Sequence, residues 1–266
     1  MPMETHRTPN RRLFLNDLTV VALLFLLVAP ATSLRAQESS EKEWKFLVET
    51  YLMFPAMNGS TCIGNLPRVD VDANAGDIFS HLRIGAMLYA EASKGNWAFS
   101  SDIIYIDLRQ NVTPGVLVES GEFSAKQFAW ELAGLKRLAP WLEVGIGVRL
   151  NSMKTGLDLV KTFGNPRGDA KSLDKTWVDP IVVVRSKGIV HEKWLLQFRG
   201  DLGGLGIGAD FAWQLQAYAG YQFSKLFQLA AGYRIISVDY DRGSGLERFA
   251  CDVNTFGPVV RLGFNF

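Results

Sequence analysis

Side chains alternate between apolar and polar or very small through ten separate stretches of this 266-residue chain, and the tenth, GPVVRLGFNF, carries the pattern to the final residue. Successive side chains of a strand point to opposite faces, so a period of two describes a sheet that is apolar on one side only. The first stretch sets Trp44, Phe46, Val48, Thr50, Leu52 and Phe54 against Lys45, Glu49 and Tyr51. The fifth is the cleanest, with Leu142, Val144, Ile146, Val148 and Leu150 opposite Glu143, Gly145, Gly147, Arg149 and Asn151. The sixth, WVDPIVVVRSK, is the least regular, and Pro180 inside it suggests a bulge or a weakened ladder. A helical reading fails because charges at i+1 and i+3 would fall inside any apolar stripe.

A one-sided sheet can bury its apolar face in a soluble core or turn it to lipid. The start of the chain bears on that choice. Arg7, Arg11 and Arg12 precede LTVVALLFLLVAPA (Leu18 to Ala31), and a polar stretch follows. This is the pattern of a secretory signal peptide spanning residues 1–36, with cleavage expected after Ala36. The apolar run is shorter than the roughly 20 residues of a spanning helix, and no other stretch reaches that length. Export, a nearly charge-free apolar face and a Gly- and Ala-rich polar face of mixed charge favour an outer-membrane barrel. Aromatic residues near the ends of the stretches suit interfacial girdles.

The fold expected for residues 37–266 is therefore all-β: a closed antiparallel transmembrane β-barrel, whose closure satisfies every backbone hydrogen bond in hydrocarbon. Connections alternate between long (56–80, 110–125, 152–176, 241–255) and short, with 203–210 intermediate. Long loops are expected outside the cell, with short turns and both termini in the periplasm. Ten strands fit best; eight and twelve stay open. Cys62 falls in the first long loop and Cys251 in the last, which meet at the seam of a ten-stranded barrel. A Cys62–Cys251 disulfide is expected there, as suits an exported chain.

The stretches GNWAFSSDIIYIDL, RGDLGGLGIGADFAWQLQAYAGYQFS and LAAGYRIISVDYD resemble a family of small bacterial outer-membrane β-barrels, porin-like and largely uncharacterised, over residues 44–266. The resemblance implies that a C-terminal strand ending in Phe is read by the barrel-assembly machinery. Val260, Leu262, Phe264 and Phe266 match that signal.

Alternation places Lys45, Glu49, Arg83, Glu91, Asp102, Glu131, Arg137, Glu143, Arg149, Asp179, Arg185, Arg199, Asp201, Arg234 and Arg261 in the lumen. Such nearly balanced charges in a narrow interior should pair with one another, because an isolated buried charge is costly. Two readings follow: a structural plug, or a narrow polar pore for small solutes. Loops binding an external partner are the alternative. Without residues 1–36 the chain has 24 basic and 25 acidic side chains, since four arginines and two acids are lost, so nucleic acid is not an expected partner. The expected partners are outer-membrane lipid and the assembly machinery, and the expected state is a monomer.

Chemistry is sparse. Mature His residues are His81, with Ser80 and Asp77 nearby, and His191, in a short turn beside Glu192. A hydrolase or acyl-modifying enzyme needs a nucleophile or activated water with a base, and His81 is the candidate such a reading would use. The expectation is no enzyme, cofactor or metal. Arg199-Gly200-Asp201 sits within a strand, GGLGIG at 203–208 lacks the helix of a dinucleotide loop, and DVDANAGD at 70–77 lacks the closing Glu of an EF-hand.

Overall fold

A computed structural model describes residues 43–266, apart from 64–67, 112–117, 162–168, 192 and 246–247. The signal peptide expected at 1–36 lies outside the described residues. Twelve strands and one short helix are described: β1 (Lys45–Met53), β2 (Ala56–Ile63), β3 (Val69–Ala73), α1 (Ala75–Ser80), β4 (Leu82–Lys94), β5 (Trp97–Asn111), β6 (Val118–Ala139), β7 (Leu142–Lys161), β8 (Asp169–Val190), β9 (Trp194–Gly203), β10 (Phe211–Gln222), β11 (Phe227–Arg242) and β12 (Phe249–Asn265).

Every neighbouring pair is antiparallel, and the sheet closes where β12 meets β1. The C-terminal part of β12 pairs with β1, from Leu47↔Asn265 to Met53↔Val259, and its N-terminal part pairs with β2, from Ala56↔Phe256 to Ile63↔Phe249. β1 and β2 are thus two halves of one wall strand, interrupted at Phe54 and Pro55. Counting them together, the barrel has ten wall strands, with β3 added as a hairpin on β2. Asn74 starts α1 with a reciprocal cap: its side chain accepts from Asp77 N at 3.1 Å and its own N–H donates to Asp77 Oδ2 at 3.0 Å.

The C-terminal stretch is the closing strand, and Phe266 is fastened to β1 by two backbone hydrogen bonds with Phe46, at 2.8 and 3.0 Å. One rim carries the tight turns and the chain end. The other rim differs from expectation. Among the described residues most of the long connections are themselves strand: those of 56–80 form β2, β3 and α1, and those of 110–125, 152–176 and 241–255 extend β5 to β8, β11 and β12. β6 and β8 reach 22 residues each, against the roughly 9–11 that cross a bilayer.

The reason these extensions escape a search for one apolar face is that the faces exchange roles. On β11 the inward set runs Gln228, Arg234, Ile236, Val238, Tyr240, from polar to apolar. Opposite, the outward set runs from Leu229 and Tyr233 to Ser237 and Asp239. Near the tall rim β7 and β8 turn Ser152, Lys154, Asp174 and Thr176 outward. There Lys154 Nζ lies 2.6 Å from Asp174 Oδ2, and Thr176 Oγ1 donates to Ser152 Oγ at 2.9 Å. Inside this extension Trp177, Tyr240, Phe249, Cys251 and Val253 form a buried apolar cluster, with the Trp177 and Tyr240 rings 4.3 Å apart. The barrel is inside out at the short-turn end and has an ordinary apolar core at the tall end.

One further expectation changes and another is narrowed. Cys62 and Cys251 do sit on adjacent strands, β2 and β12, but no disulfide joins them. The register pairs Cys62 with Ala250 and Cys251 with Thr61, so the two side chains leave opposite faces of the sheet, which disulfide geometry cannot bridge. Of the two readings of Pro180 the weakened ladder holds and the bulge does not: Pro180 pairs in register with Val148, and the β8–β9 ladder begins one residue later at Ile181↔Gly203. The missing N–H therefore falls where β8 has outrun β9.

Candidate functional site

Period two turns every second side chain of a wall strand to the interior, and closure points the polar ones among them at one another. Glu49 is buried on β1, where it accepts from Arg261 Nη1 at 3.0 Å and Gln228 Nε2 at 2.9 Å. The Arg261 guanidinium lies over the rings of Tyr218, Tyr51 and Tyr89, at 4.1, 5.1 and 5.2 Å from their centroids. Planar, weakly hydrated guanidinium suits this three-sided aromatic cage. Tyr51 Oη donates to Asp102 Oδ1 at 2.5 Å and accepts from Arg234 Nη1 at 2.8 Å.

From Arg234 the network crosses the lumen. Its Nε donates to Gln214 Oε1 at 2.8 Å, and Gln214 Nε2 donates to Asp201 Oδ2 at 2.8 Å. Arg149 Nη2 bridges Asp201, at 2.5 Å, and Glu131, at 2.6 Å, and Arg199 pairs with the other oxygen of Glu131. A second group centres on Arg185, which is 0% exposed. Arg185 pairs with Glu91 and donates to Glu143 Oε2 at 2.7 Å and to Tyr89 Oη at 2.9 Å, while Tyr89 donates to Glu91 at 2.6 Å. Lys187 Nζ adds a contact to Glu91 at 2.9 Å, and Arg137 Nη2 reaches Glu143 at 3.3 Å.

Asp179 is held differently, with no cation among these partners. It accepts from Asn151 Nδ2 and Trp177 Nε1, both at 3.0 Å, and from the Ala209 N–H at 2.6 Å. It ties the β9–β10 loop to β8. Two residues of the expected lumen set lie at the rims: Lys45 is exposed at the short-turn rim, and Arg83 is 52% exposed and 3.7 Å from the buried Asp107. The connectors that alternation did not single out are Tyr51, Tyr89, Tyr218, Gln214 and Lys187. All stand on polar faces visible in the sequence, Lys187 on that of Asp179 and Arg185, yet the four neutral ones carry no mark of being links in a charge inventory.

Outward, the same strands present Leu52, Leu88, Ile146, Val148, Val178, Val182 and Val260, each at least 43% exposed. Trp44, Trp97, Trp194, Phe223 and Phe266 crowd the short-turn rim, each at least 47% exposed. An apolar belt with aromatic edges around a paired, charged interior is the construction of transmembrane β-barrels of the outer-membrane type. No described helix is long and apolar enough to cross a membrane.

The Ser80–His81–Asp77 group does not assemble a relay. His81 Nδ1 sits 3.0 Å from Ser80 Oγ and 2.8 Å from the Asp77 carbonyl oxygen, while the Asp77 carboxylate caps α1. His191 occupies a turn with φ of 48°. Among the described residues no cluster of His, Cys, Asp and Glu is arranged to hold a metal.

No family model matches the chain, and no curated protein matches it. Among solved structures it is similar to the outer-membrane protease OmpT from Escherichia coli, with 9% identity, TM-score 0.44, and 87% of this chain and 99% of that chain covered. It is also similar to Ail, the attachment invasion locus protein of Yersinia pestis, at 9% identity and TM-score 0.39, covering 85% and 99%. The translocator domain of the autotransporter NalP from Neisseria meningitidis aligns at 10% identity and TM-score 0.31, covering 96% and 97%.

Proposed function

We propose that this chain is a bacterial outer-membrane barrel closed to end-to-end passage, which works through the tall extension it raises beyond the bilayer. The observation that carries this reading is the ion-pair and hydrogen-bond network running from Glu49–Arg261 through Asp102–Arg234 and Asp201–Arg149 to Glu131–Arg199. Interiors of barrels this small are filled by side chains, whereas aqueous channels belong to much wider ones. Hydration of ions inside would require parting charges that have already exchanged water for one another.

The short-turn rim, with the chain end, faces the periplasm in this reading, and the tall rim faces outward. The extension, closed by ladders and cored by the Trp177–Tyr240 cluster, is a rigid platform on which the connecting loops contact an external partner. The barrel functions as a monomer surrounded by lipid and carries no catalytic site. Planar-bilayer recording tests it: refolded protein should leave the membrane silent, and regular ohmic steps at modest voltage would overturn the closed-barrel reading.

A further inference from the structure

The β1–β4 seam is zipped only over its periplasmic half. Its ladder pairs Lys45–Thr50 with Ser93–Leu88 and then stops. Beyond Thr50, β1 is paired only with β12, and Leu82–Met87 of β4 only with β5. The β1-facing backbone groups of this part of β4 have no ladder partner among the described residues. Thr50 Oγ1 reaches one of them, the Met87 carbonyl, at 3.5 Å. At the top of the gap lies α1, whose Phe79 ring packs 5.5 Å from that of Phe54. The wall therefore has a window, framed by Thr50 below, residues 51–55 and 82–87 at the sides, and α1 above.

Outside, its lips are Leu52, Phe54, Ile84 and Leu88, exposed by 45, 39, 51 and 43% and continuous with the lipid-facing belt. Inside, at this level, aliphatic side chains pack on the tyrosines of the network: Met53, Met87, Ile104 and Val259 share one cluster with Tyr51, Tyr89 and Tyr218. Gly85 points into that space, yet it is exposed. A Cβ built on it would meet only Leu82 methyl carbons, at 3.5 and 3.6 Å.

Backbone groups cannot stand unsatisfied against pure hydrocarbon. An edge of N–H and C=O groups without ladder partners among the described residues, opening onto an apolar interior, matches an amphiphile, with ester or amide groups at the lip and a slim chain within. We propose that the window admits an acyl chain of an outer-leaflet lipid sideways into the upper lumen, where the ion-pair network forms the floor. This makes the barrel a lipid-binding protein, and it rests on the membrane placement proposed above.

The test uses full-length protein in vesicles containing a phospholipid with a diazirine near the end of one acyl chain. After illumination, adducts are mapped by mass spectrometry. Adducts are expected on inward Met53 and Met87 as well as on outward Leu88. Gly85→Phe, which fills the window, should lose the inward adducts and keep the outward one, while Gly85→Ala should keep both. Labelling of Leu88 with none on Met53 or Met87 would overturn the window. Absence of labelling at Leu88 as well would overturn the membrane placement itself. Inward adducts that survive in Gly85→Phe, in protein that keeps its heat-modifiable mobility, would likewise reject entry through this seam.

Discussion

Arg185 has lost all its water, and it is held by Glu91, Glu143 and the Tyr89 hydroxyl. Deleting one partner of such a buried pair strands the other, at a cost of about 3–5 kcal/mol. Arg185→Met should therefore lower stability by that amount, read from urea titrations of heat-modifiable mobility in detergent micelles. The double change Arg185→Met with Glu91→Gln should recover part of the loss. Outside the belt the balance is weaker. Arg248 donates to Asp241 at 3.0 and 2.6 Å, and those bonds hold the Asp241 carboxyl below its ordinary value of 3.8. Its folded-state value is depressed, so the stabilisation is present above 3.8 and is lost as pH falls through the folded-state value. Arg248→Gln should cost a small, salt-sensitive amount of stability at pH 7, and the difference from the parent should vanish in strong acid, as unfolding midpoints across pH would report.

Elements show how length divides between two jobs. A bilayer needs about 9–11 residues per strand, which β9 and β10 match at 10 and 12, while β6, β7 and β8 run 20 residues or more. The surplus is paired rung by rung, as at Gly156↔Ser172 and Lys154↔Asp174. Replacing residues 156–172 with a tight two-residue turn should leave membrane insertion and heat-modifiable mobility intact, because the belt and the ion pairs lie below the cut. Loss of insertion in that variant would mean the extension helps build the barrel. The last element behaves oppositely. Phe266 closes the seam through two backbone bonds to Phe46 and bears an exposed ring at the rim. Deleting it should reduce the fraction inserted in cells, measured by outer-membrane fractionation, and undiminished insertion would count against its role as an assembly signal.

At the scale of the molecule, closure converts ten one-sided strands into a tube, and the tube then has two regimes. Within the belt the apolar faces point outward, where the proposed membrane placement puts lipid, and charges find one another across the lumen. Above it, water takes the outer face, so Trp177, Tyr240 and Phe249 turn inward and the extension acquires its own core. Strand alternation survives this crossing, but the identity of the apolar face does not. That is why the ten spans and the inward charges were legible while the extensions read as loops.

Period two, repeated ten times and carried to the closing phenylalanine, is a property of the chain as written, and it calls for an all-β barrel, because closure alone satisfies the backbone of one-sided strands whose apolar face meets lipid. The same alternation determines that Arg149, Arg185, Arg234 and Arg261 face inward. Pairing across a closed sheet was decided only by tertiary structure, because register sets which residues meet. A shift of one position separates Cys62 from Cys251 on opposite faces, and α1 at the end of a shortened ladder leaves the β1–β4 seam open. Local pattern settles which face a side chain takes; only closure, which joins residues as distant as Glu49 and Arg261, settles what it meets there.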